Sequence, residues 1–424
     1  MSNTKWSVLR TVVRLSVSAI ALSQAGPLPG WAQVTAIRAG RLIDPESGRV
    51  STGQTILVEQ GKITAIGSGL TVPPGAAVVD LSAMTVLPGL FDVHTHLCMT
   101  VKPRRDAGNY YYTTLRDPDA TRAIEGVVNA RTMLEAGFTT VRDVGNEGNF
   151  ACTSLRRAIA SGLVPGPTMQ NAGRIIAPYG GQFHLQPDKP ELAEPEYLFA
   201  DTRDEMLRGI RLNIHYGATV IKIVVDDQRY IYTEEDIRFM IEEARRAGLK
   251  LAAHAWTRAG AHNAAAAGVA SIEHGFDMTD EDLALAKRNN VVLVGTEFPA
   301  RFDSSGHAQW VDRLRRAHRI GVTLAFGTDA TEQDPVLTRG SMAMTWIESW
   351  KEAGIPPQVL LQAMTINAAR LMGIETTRGT VRPGMAADII ATQGDPLQDM
   401  DALRSVVFVM KDGRVIKGPE AVRQ

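Results

Sequence analysis

The chain has 424 residues, 44% of them hydrophobic, which is enough to bury one large core and a smaller second unit. Its 45 Lys and Arg against 46 Asp and Glu leave a formal net charge of −1 and a pI near 6.8. The basic residues are scattered, which excludes a nucleic-acid surface and favours a small-molecule partner.

Residues 1–32 read as a secretory signal peptide. Lys5, Arg10 and Arg14 precede a short apolar run from Leu15 to Leu22, and small residues follow at Gly30-Trp31-Ala32. Cleavage after Ala25 or after Ala32 fits the pattern, and export to a periplasm or medium follows in either case. The run is well short of the ~20 apolar residues of a membrane span, so no membrane is a partner once the segment is removed.

Residues 33–87 carry short β-like runs separated by turn residues, such as Gln54-Thr-Ile-Leu-Val and Gly61-Lys-Ile-Thr-Ala-Ile. Residues 376–424 repeat that style, with Val406-Val-Phe-Val-Met and a hairpin turn at Lys411-Asp-Gly. The two ends therefore predict one small β-sandwich domain. Between them, residues 88–375 alternate apolar strands with helical patterns such as 233–247 and 257–267. Eight strand candidates (89–96, 139–144, 168–176, 220–225, 250–255, 271–274, 291–297 and 323–328) predict an α/β fold of the TIM-like (β/α)8 type, with a doubly wound sheet as the alternative.

In such a fold, catalytic groups stand at the C-terminal ends of several strands. His94 and His96 end the first candidate, and residues two apart in a strand point the same way, so both imidazoles face one side. Lys222 interrupts the apolar fourth strand, His254 ends the fifth, His274 the sixth, and Asp329 the eighth. Neutral imidazoles and carboxylates suit zinc-like cations. Cys98 and Cys152 are too few for a disulfide framework and read as buried free thiols.

Two histidines, a lysine, two histidines and an aspartate in this order resemble the amidohydrolase superfamily. So do Asn367-Ala368-Ala369 and the stretch from Gly379 to Asp388. Within it the chain is most similar to the imidazolonepropionase-like metallopeptidases, a branch of dipeptidases, carboxypeptidases and ochratoxin-hydrolysing amidohydrolases. The resemblance implies two divalent ions, most of all Zn2+, and CO2 held as a carbamate on Lys222. A free lysine, with its ordinary pKa of ~10.4, repels cations, whereas a carbamate offers two anionic oxygens. His94, His96 and Asp329 are then expected at the more buried metal, His254 and His274 at the more exposed one, and Lys222 at both. Asp329 is expected to act as general base and then acid, with a metal-bridging hydroxide as nucleophile. The resemblance also implies a homo-oligomer, an octamer among the options.

Substrate contacts are expected from His184, Arg229 and Tyr230. In the family a glycine-rich loop after the third strand carries a histidine, and here Gln182-Phe183 is inserted before it. Arg142-Asp143 reads as a buried structural pair, and His215, His262, His307 and His318 as surface or packing residues. Aromatic residues on the loops after strands 1, 3 and 7 (Tyr110, Tyr111, Tyr112, Tyr179, Phe183, Phe298 and Phe302) suit a bulky apolar group. Arg229 and Arg301 suit a free carboxylate.

The expected reaction is hydrolysis of the amide of a dipeptide or N-acyl amino acid, ochratoxin A among the candidates. A deaminase or cyclic-amide hydrolase is the alternative, but deaminases of this fold carry a glutamate two residues after the strand-5 histidine, where this chain has Trp256. A non-catalytic metal- or solute-binding protein is the reading from another class.

Overall fold

The computed structural model describes residues 34–145, 147–182 and 189–418; the expected signal segment 1–32, Phe183 and His184 lie outside them. The chain opens with β1 (Thr35–Asp44), β2 (Arg49–Glu59), β3 (Lys62–Gly67) and β4 (Ala77–Pro88). It continues through β5 (Leu90–Thr95), β6 (Phe138–Asp143), β7 (Thr168–Asn171), β8 (Ile175–Ala177) and β9 (Tyr197–Phe199). Next come β10 (Ile221–Val224), β11 (Leu251–Ala255), β12 (Ser271–His274) and β13 (Val292–Val294). It closes with β14 (Ile389–Thr392), β15 (Val406–Lys411) and β16 (Arg414–Lys417).

The two ends of the chain build one sheet, in the order β16-β15-β14-β4-β1-β2-β3. Alternating positions on these strands put Ile37, Ile56, Val79, Leu81, Ile389 and Phe408 into a shared core. The sheet curls so that Lys62 bridges Ala386 and the Gly413 N–H donates to Ala387 O at 3.1 Å. This one sheet thus surrounds a shared apolar core. β4 runs almost directly into β5 through Gly89, where a Cβ would lie 2.1 Å from Thr139 Oγ1, so only glycine lets the two strands meet there.

The middle of the chain is α/β. β5, β6 and β7 pair in parallel, and a second parallel sheet runs β13-β12-β11-β10-β8-β9. Thr219 N–H donates to Asn171 O at 2.8 Å and links the two sheets. The segment 323–328 bonds on both sides, to β13 through Leu293 N–H to Thr323 O (2.9 Å) and to β5 through Val93 N–H to Phe326 O (2.9 Å). The expected third strand, 168–176, is split into β7 and β8. The buried Glu147 carboxylate takes the N–H of Gly173 at 2.6 Å and the Asn171 amide at 2.9 Å, so the backbone turns where the sheet would have continued. The expected seventh strand, 291–297, keeps ladder pairing only over β13.

Helices follow the strands and are set by their starts. Thr202 with Glu205, Thr233 with Asp236, and Thr279 with Asp282 each form a reciprocal capping box, in which the Thr hydroxyl and the acid each satisfy a free backbone N–H. Their apolar faces, together with Phe138, Phe326 and Trp350, form the main core against the strands. No helix among the described residues is long and apolar enough to cross a membrane.

The cysteines correct the sequence expectation. Cys98 and Cys152 are bonded to each other, joining the loop after β5 to the helix Ala151–Ala160. The spacing along the chain gives no hint of this pairing, because the fold alone brings the two backbones to a Cα distance of 5.7 Å. Gly126 makes room for the bridge, since a Cβ there would stand 2.8 Å from Cys98 Sγ.

Candidate metal centre

The ends of β5, β10, β11, β12 and segment 323–328 converge on one buried cluster. His94, His96, Lys222, His254 and His274 are each no more than 6% exposed, and Asp329 closes the group with a side chain 21% exposed. Asp329 Oδ1 lies 3.0 Å from His96 Nε2 and 3.7 Å from His94 Nε2. Ligand atoms of His94, His274 and Asp329 all lie within 4.8 Å of one another, close enough to hold one ion. The His254 and His274 rings are 4.6 Å apart, and those of His94 and His274 are 5.0 Å apart.

Each histidine is oriented by one ring nitrogen. His94 Nδ1 meets Glu273 Oε2 at 2.8 Å, His96 Nδ1 meets Gly145 O at 2.8 Å, and His274 Nδ1 meets Thr296 Oγ1 at 2.7 Å. His254 is the reverse: its Nε2 meets Asp227 Oδ2 at 2.9 Å. Such outer partners fix the tautomer and aim the other nitrogen inward. Glu273 is itself held by Arg142, whose guanidinium donates to Glu273 Oε1 at 2.7 Å, to Ser271 Oγ at 2.9 Å and to Val93 O at 2.6 Å. Asp329 is braced through its neighbour Thr328, which donates to the buried Asp92 from both N–H (3.1 Å) and Oγ1 (2.7 Å).

The backbone carries local cost here. Asp227, His274, Thr296 and Asp329 all have φ between 52° and 79°, a left-handed region that L side chains rarely enter. Four such residues around one cluster are the pattern of a site whose side-chain directions are fixed by the surrounding structure.

Burial sets the charge states. It lowers the His94 pKa to about 4 and puts that of His274 well below the ordinary value, which keeps both neutral and able to bind a cation. His96 is also desolvated, but the hydrogen bond and charge of Asp329 outweigh this and raise it. Desolvation opposes ionisation of Asp329, yet the nearby His94 and His96 hold its pKa below the carboxylate range. The Arg142 charge does the same for the buried Glu273. Lys222 falls to about 8 through burial, and its Nζ has no hydrogen-bond partner among the described residues.

The other expected residues are less central. Tyr230 is 47% exposed, and its hydroxyl donates to Asp236 at the start of the helix Glu234–Arg246 (3.3 Å), away from the cluster. Arg229 is exposed, with no ion pair among the described residues. Arg142 and Asp143 are buried as expected, but not as a pair: Arg142 bonds Glu273, while Asp143 accepts the Leu97 N–H at 2.6 Å. Phe298 and Phe302 pack on Trp346, and Tyr110 bonds the Gln182 carbonyl at 3.2 Å.

Sequence reasoning missed the roles of five groups at the site. Gln182, beside the displaced histidine, donates to Asp227 Oδ2 at 2.8 Å and lies 3.4 Å from His254 Nε2. Asp227, Glu273 and Thr296 orient ligands; the adjacency of Asp227 and Glu273 to strand ends was the available signal. Trp256, 46% exposed, stacks near His254 and leads through Phe276 to Trp310 as an aromatic wall.

The Amidohydrolase family model matches residues 85–418. The chain is 27% identical to ochratoxinase from Aspergillus niger, over 92% of this chain and 88% of that protein. It is 24% identical to a 5'-deoxyadenosine deaminase from Methanosarcina barkeri, over 82% of this chain and 81% of that one. Among solved structures, a Xaa-Pro dipeptidase with methionine bound in its active site superposes with a TM-score of 0.79 at 29% identity, covering 91% of this chain and all of that one.

Proposed function

Because the chain belongs to the amidohydrolase family, we propose that it is a binuclear zinc hydrolase that cleaves the amide bond of a dipeptide or N-acyl amino acid. The observation that carries this reading is Lys222 Nζ, a buried amine without a hydrogen-bond partner among the described residues, amid four histidines and an aspartate. An ammonium there is desolvated, and no hydrogen bond among the described residues offsets that cost. Addition of the neutral amine to CO2, with loss of one proton, makes it a carbamate that can accept two cations. His94, His96 and Asp329 would hold one ion, His254 and His274 the second, and Lys222 both. When bound, the ions polarise the substrate carbonyl and make water acidic.

The protein groups supply orientation and proton transfer. Asp329 takes a proton from the attacking water and delivers it to the departing nitrogen, so its position beside the ligand histidines serves both halves of the reaction. The parallel strands β5, β6, β7 with β8, β10, β11, β12 and β13 together with segment 323–328 fit a closed (β/α)8 barrel, with this site at its C-terminal face. Trp256 and Phe276 offer an apolar wall to a bulky group, and Arg229 and Arg301 are the candidates to meet a free carboxylate. N-aroyl-phenylalanine compounds of the ochratoxin A type are therefore candidate substrates. We further propose that residues 1–32 direct export and that the mature chain forms a homo-oligomer, with an octamer among the candidate assemblies.

Deamination is disfavoured by Trp256, an indole that offers no carboxyl proton at the place where deaminases of this fold carry glutamate. The test is a panel of dipeptides and N-acyl amino acids scored for released amine, with chelator and zinc add-back. Zinc-dependent release supports the proposal; deamination without amide cleavage overturns it. An N-aroyl-phenylalanine and its C-terminal amide hydrolysed equally well would refute carboxylate recognition.

A further inference from the structure

The loop that leaves β5 and the loop that follows segment 323–328 each start at a group of the cluster, His96 in the first and Asp329 in the second, and the two loops lie against each other. Val101 N–H donates to Thr331 O at 2.9 Å, and Gln333 N–H donates to Val101 O at 2.7 Å. Beside this contact sits Arg339, 7% exposed, the first residue of the short helix Arg339–Ala343. Thr338 caps that helix, and Gly340 lets it approach the helix Asp119–Glu135, since a Cβ there would stand 2.1 Å from Thr132 O. Arg339 Nη1 donates to His96 O (3.3 Å) and Ala330 O (2.5 Å). Its Nη2 donates to Met99 O (2.9 Å), Thr331 O (3.0 Å) and Thr100 Oγ1 (3.4 Å).

All of these acceptors are neutral oxygens. Burial lowers the Arg339 pKa only to about 10, so the group is a cation at neutral pH. A buried charge held by neutral acceptors is costly, and a plain loop tie needs none: Asn129 donates its neutral amide to Leu97 O (2.8 Å) and Thr100 Oγ1 (3.1 Å) in the same loop. What the planar fork adds is reach, because each of its terminal nitrogens holds one carbonyl from either loop. We propose that Arg339 is a positioning residue that keeps His96 and Asp329 in register, by fixing the His96 carbonyl and that of the residue after Asp329 on one nitrogen. The backbone then sets the 3.0 Å approach of Asp329 Oδ1 to His96 Nε2. What this register serves, proton transfer by Asp329, rests on the hydrolase reading above.

The test compares Arg339→Met, Arg339→Lys and Asn129→Ala in the full chain, with the best substrate of the panel above. Arg339→Met should lower kcat by about 10- to 100-fold with KM changed less than about threefold, the pattern of a misplaced reacting group and not of lost binding. Asn129→Ala loosens the first loop without touching the second, and should cost less than about threefold in kcat. Arg339→Lys, whose ammonium is a point donor, should fall between Arg339→Met and wild type. Hydrogen exchange of the zinc-free proteins gives a readout independent of catalysis: the Val101 and Gln333 amides should lose protection in Arg339→Met and keep it in Asn129→Ala. Wild-type kcat in Arg339→Met, an equal kcat loss in Asn129→Ala, or unchanged protection of both amides would each overturn the proposal. If Arg339→Met does not fold, Arg339→Lys decides, and wild-type kcat and protection in it would overturn the proposal. Wild-type protein that cleaves no member of the panel with zinc would overturn the hydrolase reading instead, and the exchange result would still decide whether Arg339 holds the two loops together.

Discussion

Removing the Arg142 guanidinium should separate stability from site integrity. Arg142 and Glu273 are 2% and 0% exposed and 2.7 Å apart, and the guanidinium also ties β5 to β12 through Val93 O and Ser271. Arg142→Met leaves Glu273 charged and buried with no cation beside it except Lys222, so metal-free protein should lose about 3–5 kcal/mol of stability. Replacing both partners, as Arg142→Met with Glu273→Leu, removes the uncompensated charge. The double variant should then be more stable than the sum of the single changes predicts, by about 1–3 kcal/mol. Zinc affinity should not return with it, because His94 Nδ1 has lost its acceptor. Urea unfolding followed by tryptophan fluorescence gives the stability cycle, and chelator competition gives the affinity. Additive stability losses, or a single-variant cost under about 1 kcal/mol, would refute the claim that the two buried charges are energetically coupled.

Lys222→Ala should lose most bound metal, and added short-chain carboxylic acid should restore part of it by supplying the missing anionic oxygens; metal analysis finding wild-type content in the variant would count against a lysine carbamate. Asp329→Asn keeps an oxygen of similar shape but removes the base, so kcat should fall at least ~10²-fold with a modest loss of metal; near-full turnover would refute its role in proton transfer. Breaking the Cys98–Cys152 bridge by the double serine variant opens a loop closed over 54 residues, which in the chain-entropy account costs about 4 kcal/mol at 25 °C. A midpoint of urea unfolding equal to that of wild type would show that the bridge adds nothing to stability.

Much of the molecule was legible from local pattern alone. The turn-separated β runs at both ends and the alternation of apolar strands with helical patterns between them are encoded within a few residues. The strands of residues 88–375 are therefore found near their expected places, except where Glu147 breaks the third, the seventh shortens, and the eighth, 323–328, is held by separate backbone bonds and one isolated bridge instead of a ladder. The six ligand candidates were legible for a related reason: a histidine, lysine or aspartate at the end of an apolar strand is chemically out of place in a packed core.

Partnerships between distant segments were not legible, because they depend on which faces the fold brings together. Cys98 finds Cys152 only once the loop after β5 lies on the helix after β6, and Arg142 passes over its neighbour Asp143 to reach Glu273 on β12. Gln182 and Asp227 belong to loops with no periodicity to read, and a left-handed backbone decides where Asp227 points. The sequence by itself determined which side chains could bind cations. Only the tertiary structure decided which nitrogen of each histidine is left to do so, since that choice depends on acceptors contributed by other strands.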